Sequence, residues 1–132
     1  MHWCAKIMTQ KHSNVVIIGG GFAATKCAKT LREKLSRDSC HIVLFSRENH
    51  MVFHPLLADV VGASLHADSA AATLRQMLLG IECRTDVVNE IDVKAAQIEY
   101  QQDERQIDRM GYDQLVLACG ADSNLAMITG IA

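Results

Sequence analysis

Proline is nearly absent: Pro55 stands alone, and aromatic residues make up only 5% of the chain. The first scarcity excludes a Pro-rich linker, and the second argues against a stacking platform for single-stranded nucleic acid. Excess positive charge is also missing. The formal net charge is −2, so the general electrostatics of a nucleic-acid binder are absent and no nucleic-acid partner is expected. No apolar run approaches the roughly 18 residues that would read as a membrane-spanning helix. Nor does the start, Met1–Lys6, have the apolar length of a secretory signal. The five cysteines are an odd number without a CxxC pair, which argues against a disulfide framework, a zinc ribbon or a redox dithiol. A reducing cytoplasm is the expected compartment. His50 and His54 are four apart but lack the further donors that a metal site needs, so no metal is expected.

What is present is an ordinary globular composition, 49% hydrophobic and 21% charged over 132 residues. That length suits one domain. The charge is unevenly divided. Residues 1–50 carry 8 Lys and Arg against 3 Asp and Glu, and residues 51–132 carry 5 against 12. The basic half is therefore the half suited to face an anion.

Residues 1–13 show no periodicity and read as a loose arm, and residues 14–132 as one domain. Asn14–Ile18 is a short β-branched run of the kind buried on both faces of a parallel sheet. Glycines end it, and the period then changes. Ala24, Cys27, Ala28, Leu31 and Leu35 fall on one helical face. His41–Phe45 is a second buried-type strand, so the opening is a βαβ unit. Met51–Leu65 reads as a loop with a short helical turn. A helix capped by Asp68 or Ser69 is expected to run to about Leu79 and stop at Gly80. Ile81–Thr85, Val87–Asp92 and Gln97–Gln101 read as short strands, with a turn at Lys94–Ala96. Gln102–Arg109 reads as an exposed polar hairpin arm, and Asp86, Glu90, Asp92, Asp103, Glu104 and Asp108 read as the solvated edge of the β-arm. Gln114–Ala118 is a third buried-type strand, closed by Gly120. The expected fold is α/β, a Rossmann-like FAD/NAD(P)-binding domain with a parallel sheet and a small antiparallel β-arm to one side.

The chemistry is concentrated in Gly19, Gly20, Gly21, Phe22, Ala23 and Ala24, a G-x-G-x-x-A between strand and helix. Gly19 suits the tight turn, Gly21 lets backbone approach a pyrophosphate, and Ala24 lets the helix lie close to the sheet. The helix N-terminus then points free N–H groups at the phosphates. A dinucleotide site ordinarily has an acid at the end of the second strand, for the ribose hydroxyls. Here Ser46 holds that place, followed by Arg47 and Glu48. Serine can bond a ribose without charge assistance, Glu48 could substitute if the loop turns back, and Arg47 would suit a 2′-phosphate.

Three stretches together resemble the type II NADH dehydrogenases, within the FAD-dependent pyridine nucleotide-disulfide oxidoreductase superfamily. They are the glycine loop, Phe53-x-Pro55-Leu56-Leu57 after Asn49, and Tyr112-Asp113-x-Leu115-Val116-x-Ala118-x-Gly120 with Asn124 beyond. The resemblance implies an extended FAD, with its diphosphate on residues 19–24 and its ribose near Ser46 and Arg47. Adenine would meet backbone near Val88. Ala118, Cys119 and Gly120 would lie beside the cofactor, and Pro55 would approach the flavin, with His54 as a polar neighbour. It implies no particular catalytic side chain. In the family, NADH delivers hydride to the flavin and a quinone takes the electrons. Cys119 stands where the family usually has Thr, and Thr129 where a proline usually precedes the glycine. Family members are longer, so the chain is expected to be a truncated, N-terminal portion. The NADH site and the membrane-docking segment would lie outside it, and the intact protein would sit on the cytoplasmic face of the inner membrane. Two other readings share the glycine loop: a non-catalytic dinucleotide-binding module, and a portion of a sulfide:quinone oxidoreductase.

Overall fold

A computed structural model describes residues 12–64, 66, 71–102 and 106–121. The expected cap at Asp68 or Ser69, and Asp103, Glu104, Asn124, Thr129 and Gly130, lie outside the described residues. The chain opens with β1 (Ser13–Ile18), α1 (Phe22–Lys34) and β2 (Cys40–Phe45). β1 starts one residue ahead of the expected boundary, where Ser13 N–H donates to Ser39 O at 3.1 Å. β1 and β2 pair in parallel, from Ser13 opposite Cys40 to Ile18 opposite Phe45. A right-handed crossover of this kind requires the helix between them to cover one face.

The middle is more ordered than the sequence suggests. β3 (His50–Val52) leads into a 3₁₀ turn at His54–Leu56 and a short α2 (Leu57–Val61). The helix expected up to Leu79 is cut to a single turn, α3 (Leu74–Met77), because Ala71–Thr73 form β4. β4 pairs antiparallel with β3, and Leu74 N–H donates to Asn49 O at 2.9 Å. An available strand partner thus overrides helical propensity there. Gly80, at φ 80°, ends the segment as expected.

The strand expected at Ile81–Thr85 is β5 (Glu82–Arg84), and it joins the main sheet parallel to β2, a pairing the sequence did not foresee. The chain then makes a meander, β6 (Val87–Asp92), β7 (Gln97–Gln101) and β8 (Ile107–Gly111), before β9 (Gln114–Leu117) returns parallel to β1. The main sheet is therefore β5-β2-β1-β9, all parallel. Asp113 fixes the return. Its carboxylate accepts the Asn14 N–H at 2.9 Å while its own N–H donates to Asn14 O.

Alternation along β1 and β2 sends side chains to two separate cores. Val15, Ile17, Ile42 and Leu44 meet Ala24 and Ala28 of α1, with Leu74 and Leu78. Val16, Val43 and Phe45 meet Ile98 and Tyr100 of β7. The antiparallel arm is thus a third layer on the face opposite α1. Among the described residues, no helix is long and apolar enough to cross a membrane.

Candidate functional site

The C-terminal ends of β1, β2 and β9 open onto one cleft of about 1160 Å³. An open parallel sheet binds ligands at this end of its strands. Every strand there leaves through a turn that must clear its neighbour. Gly19 has φ 128°, and a Cβ on it would overlap Ala118 O. It is glycine both for its conformation and for the approach of the β9 turn. Gly19 N–H donates to Phe45 O at 2.8 Å, and Ala118 N–H to Ile18 O at 2.8 Å, which ties the three strand ends together.

Gly20 and Gly21 differ from Gly19. A Cβ on Gly20 would overlap the Ser46 hydroxyl and lie 2.8 Å from Ser46 Cβ. Gly21, with φ −80°, has no atom within 4 Å of where its Cβ would be. The fold itself has room for a side chain there, and the space opens into the cleft. Gly21 is also the N-cap of α1 and offers no side-chain cap, and the first turn has no acidic residue. The leading N–H groups of α1 are therefore open to an anion. Thr25, buried one turn later, bonds back to Gly21 O at 3.0 Å and Phe22 O at 3.1 Å.

Of the residues singled out from the sequence, Gly19, Gly20, Gly21, Phe22, Ser46, Arg47, Val88, Cys119 and Gly120 all line this cleft. Ala23 is exposed and Ala24 is fully buried under the sheet, so neither is on the lining. Ala118 is half-buried behind Gly19. Pro55 lies in the exposed 3₁₀ turn, outside the lining. Its neighbour Phe53 (42% exposed) meets Phe22 (52% exposed) edge to face, with ring centres 5.7 Å apart. That pair places the Phe53–Leu57 segment over the start of α1. The Cys119 thiol lies 3.7 Å from Ile18 O.

The cleft also holds Glu48, which the sequence offered as a substitute for the missing acid, and two residues the sequence placed elsewhere, His50 and Asp86. Glu48 and His50 line the cleft and pair at 3.2 Å. Asp86 lines it too and is only 8% exposed, which corrects its expected place on a solvated edge. The available signal was its position between Arg84 and the apolar Val87-Val88. Arg84 stands between the layers. It is 5.3 Å from the Tyr100 ring centre and 6.0 Å from that of Phe45, and it donates to Tyr100 Oη at 2.7 Å and to Glu82 Oε1. Burial alone would raise the Glu82 carboxyl pKa, but the Arg84 hydrogen bond and charge, with His41 behind, hold it below its ordinary value. Burial raises the Cys83 thiol, opposed by the charge of Arg75.

A twisted parallel sheet with a glycine turn, an uncapped helix N-terminus and a cleft across its strand ends defines a dinucleotide-binding domain. A family model described as pyridine nucleotide-disulphide oxidoreductase matches residues 13–132, and the chain belongs to that family. It is therefore of the flavoprotein oxidoreductase type, in a family that binds flavin and NAD(P)H. Among solved structures, NDH2 from Plasmodium falciparum in complex with NADH is similar at TM-score 0.76 and 19% identity. The match covers 92% of this chain and 25% of that one. The sulfide:quinone oxidoreductase of Aquifex aeolicus matches at TM-score 0.69 and 24% identity, over 83% and 25% of the two chains. A NAD-dependent persulfide reductase from A. fulgidus matches at 0.70 and 27%, over 81% and 21%. The chain thus spans about a quarter of the length of these structures. A search of the curated proteins finds no match.

Proposed function

We propose that residues 14–132 form the FAD-binding portion of an NADH:quinone oxidoreductase. The observation that carries FAD binding is Gly21, where the fold leaves room for a Cβ, the chain keeps glycine, and the space faces the open N-terminus of α1. A site kept free of a side chain that the fold would accept is a cradle for something else. The backbone of residues 19–24 would hold the diphosphate. Ser46 and Arg47 would meet the ribose, and the Val88 backbone the adenine. Ala118, Cys119 and Gly120 would flank the cofactor, with Pro55 on the flavin side. Arg47 has no ion-pair partner among the described residues, so its charge is available to the ligand. When bound, FAD supplies a two-electron carrier between NADH and a quinone. NADH and quinone would act in a longer protein, docked on the cytoplasmic face of a membrane by segments outside this chain. The quinone assignment rests on the resemblance of Phe53–Leu57 and Tyr112–Gly120, which a simple nucleotide-binding module has no use for.

The test is a titration with FAD followed by flavin fluorescence, on the chain and on Gly21→Val. The variant should lose binding, because its side chain fills the cradle. Its stability should fall by no more than about 1 kcal/mol, the size of an N-cap change. Equal affinity in the two proteins removes the diphosphate assignment.

A further inference from the structure

We infer that Asp86, on the link between β5 and β6, takes the part of the acid missing at the end of β2 and accepts hydrogen bonds from the ribose hydroxyls of the bound nucleotide. The inference rests on the dinucleotide reading of the cleft. Two carboxylates line that cleft. Glu48 is exposed and engaged with His50 at 3.2 Å. Asp86 is 8% exposed, yet among the described residues it accepts no hydrogen bond. Its one ion-pair neighbour is Arg84 Nη1 at 4.0 Å, beyond hydrogen-bond reach, and that guanidinium already serves Glu82 and Tyr100. Asp86 is among the residues that line the cleft, so a donor bound in the cleft is what its carboxylate is placed to meet.

Its position fits the part. Ser46 directly follows β2, and its N–H donates to Arg84 O at 2.9 Å, two residues before Asp86. The ends of β2 and β5 are thereby held side by side, and Ser46 and Asp86 line the same cleft. Ser46 itself is packed against Gly20, so a larger acid at position 46 would have to displace the glycine turn. The chain thus carries a small residue at the usual place and a buried acid on the adjoining strand link. A carboxylate accepts from both hydroxyls of a vicinal diol, and it repels a 2′-phosphate. Asp86 therefore selects an unphosphorylated adenosine ribose, against the NADP-type preference that Arg47 alone would suggest.

Calorimetric titration of the chain with ADP, 2′-deoxy-ADP and adenosine 2′,5′-bisphosphate tests this without any enzymatic turnover. The wild-type chain should favour ADP over each of the others by about tenfold or more, as expected for a charge-assisted hydrogen bond. Asp86→Asn should narrow the gap to the deoxy compound and improve relative binding of the 2′-phosphate. Asp86→Glu keeps the charge and should retain the rejection of the 2′-phosphate. A wild-type chain that binds ADP and 2′-deoxy-ADP equally overturns the inference even if no variant folds. A folded Asp86→Asn with unchanged preferences also overturns it, leaving the dinucleotide reading intact. Failure of the folded wild-type chain to bind ADP at all removes both.

Discussion

At Gly20 a methyl group would enter the space of the Ser46 hydroxyl and come within 2.8 Å of Ser46 Cβ, whereas at Gly19 it would enter that of a backbone oxygen, Ala118 O. A side chain can be trimmed and a backbone carbonyl cannot. Gly20→Ala should therefore cost about 1–3 kcal/mol by overpacking, and Ser46→Gly in the same chain should recover much of it. Gly19→Ala should not be rescued, because its φ of 128° is strained for any side chain. Urea unfolding of the two single variants at positions 20 and 46 and of the double variant gives the coupling. Additive effects would mean that the Gly20–Ser46 contact does not exist. The motif rule assigns the glycines from their spacing alone. Only the neighbours show that Gly20 answers to Ser46, Gly19 to Ala118, and Gly21 to no atom of the fold.

At the scale of elements, β5 is where the layers are joined. Arg84 reaches from it to Tyr100 of β7, and Glu82 on the same strand holds Arg84 and pairs with His41 of β2 at 2.9 Å. The Glu82 carboxyl is held below its ordinary pKa of 4.5, with burial opposing and Arg84 prevailing. A depressed folded-state pKa contributes stability above the unfolded value and loses it as pH falls through the folded value. Glu82→Gln should therefore lower the melting temperature at pH 6 and lose this difference progressively below about pH 4.5. A difference that persists undiminished at pH 3 would show that the charge of Glu82 is not what matters. The β6–β7 turn shows the opposite balance of local and distant causes. Without Gly or Asn, Lys94–Ala96 looks like a poor turn. Asp92 Oδ1 accepts the N–H groups of Lys94 and Ala95 at 2.9 Å each, and Ala96 takes φ 51°. The aspartate was the local signal for the turn.

For the whole molecule, the chain has one glycine loop of the dinucleotide type and no second G-x-G-x-x-G. Hydride transfer requires the nicotinamide to be held about 3–3.5 Å from its acceptor, and no described element offers a second cradle for it. The 132-residue chain supplied with FAD, NADH and a soluble quinone should therefore show no turnover when NADH absorbance is followed. Robust oxidation would mean that the nicotinamide binds where no glycine loop marks it, or that two copies build the missing site.

Local pattern was enough to determine β1, the glycine turn, α1, β2 and β9, and the spans, though not the pairing, of β5, β6 and β7. Their signals lie within the segments themselves: β-branched runs buried on both faces, a change of period from strand to helix, and small residues where a chain must turn. Tertiary structure decided the rest. Ala71–Thr73 become strand only because β3 presents an edge to pair with. The β-arm becomes a third layer because Ile98 and Tyr100 cover the Val16, Val43 and Phe45 face, opposite α1. Asp86 leaves the solvated edge for the cleft because Ser46 N–H bonds Arg84 O and draws the end of β5 to the end of β2. Each of these depends on a partner distant in sequence, and a periodicity carries no information about which distant segment will supply it.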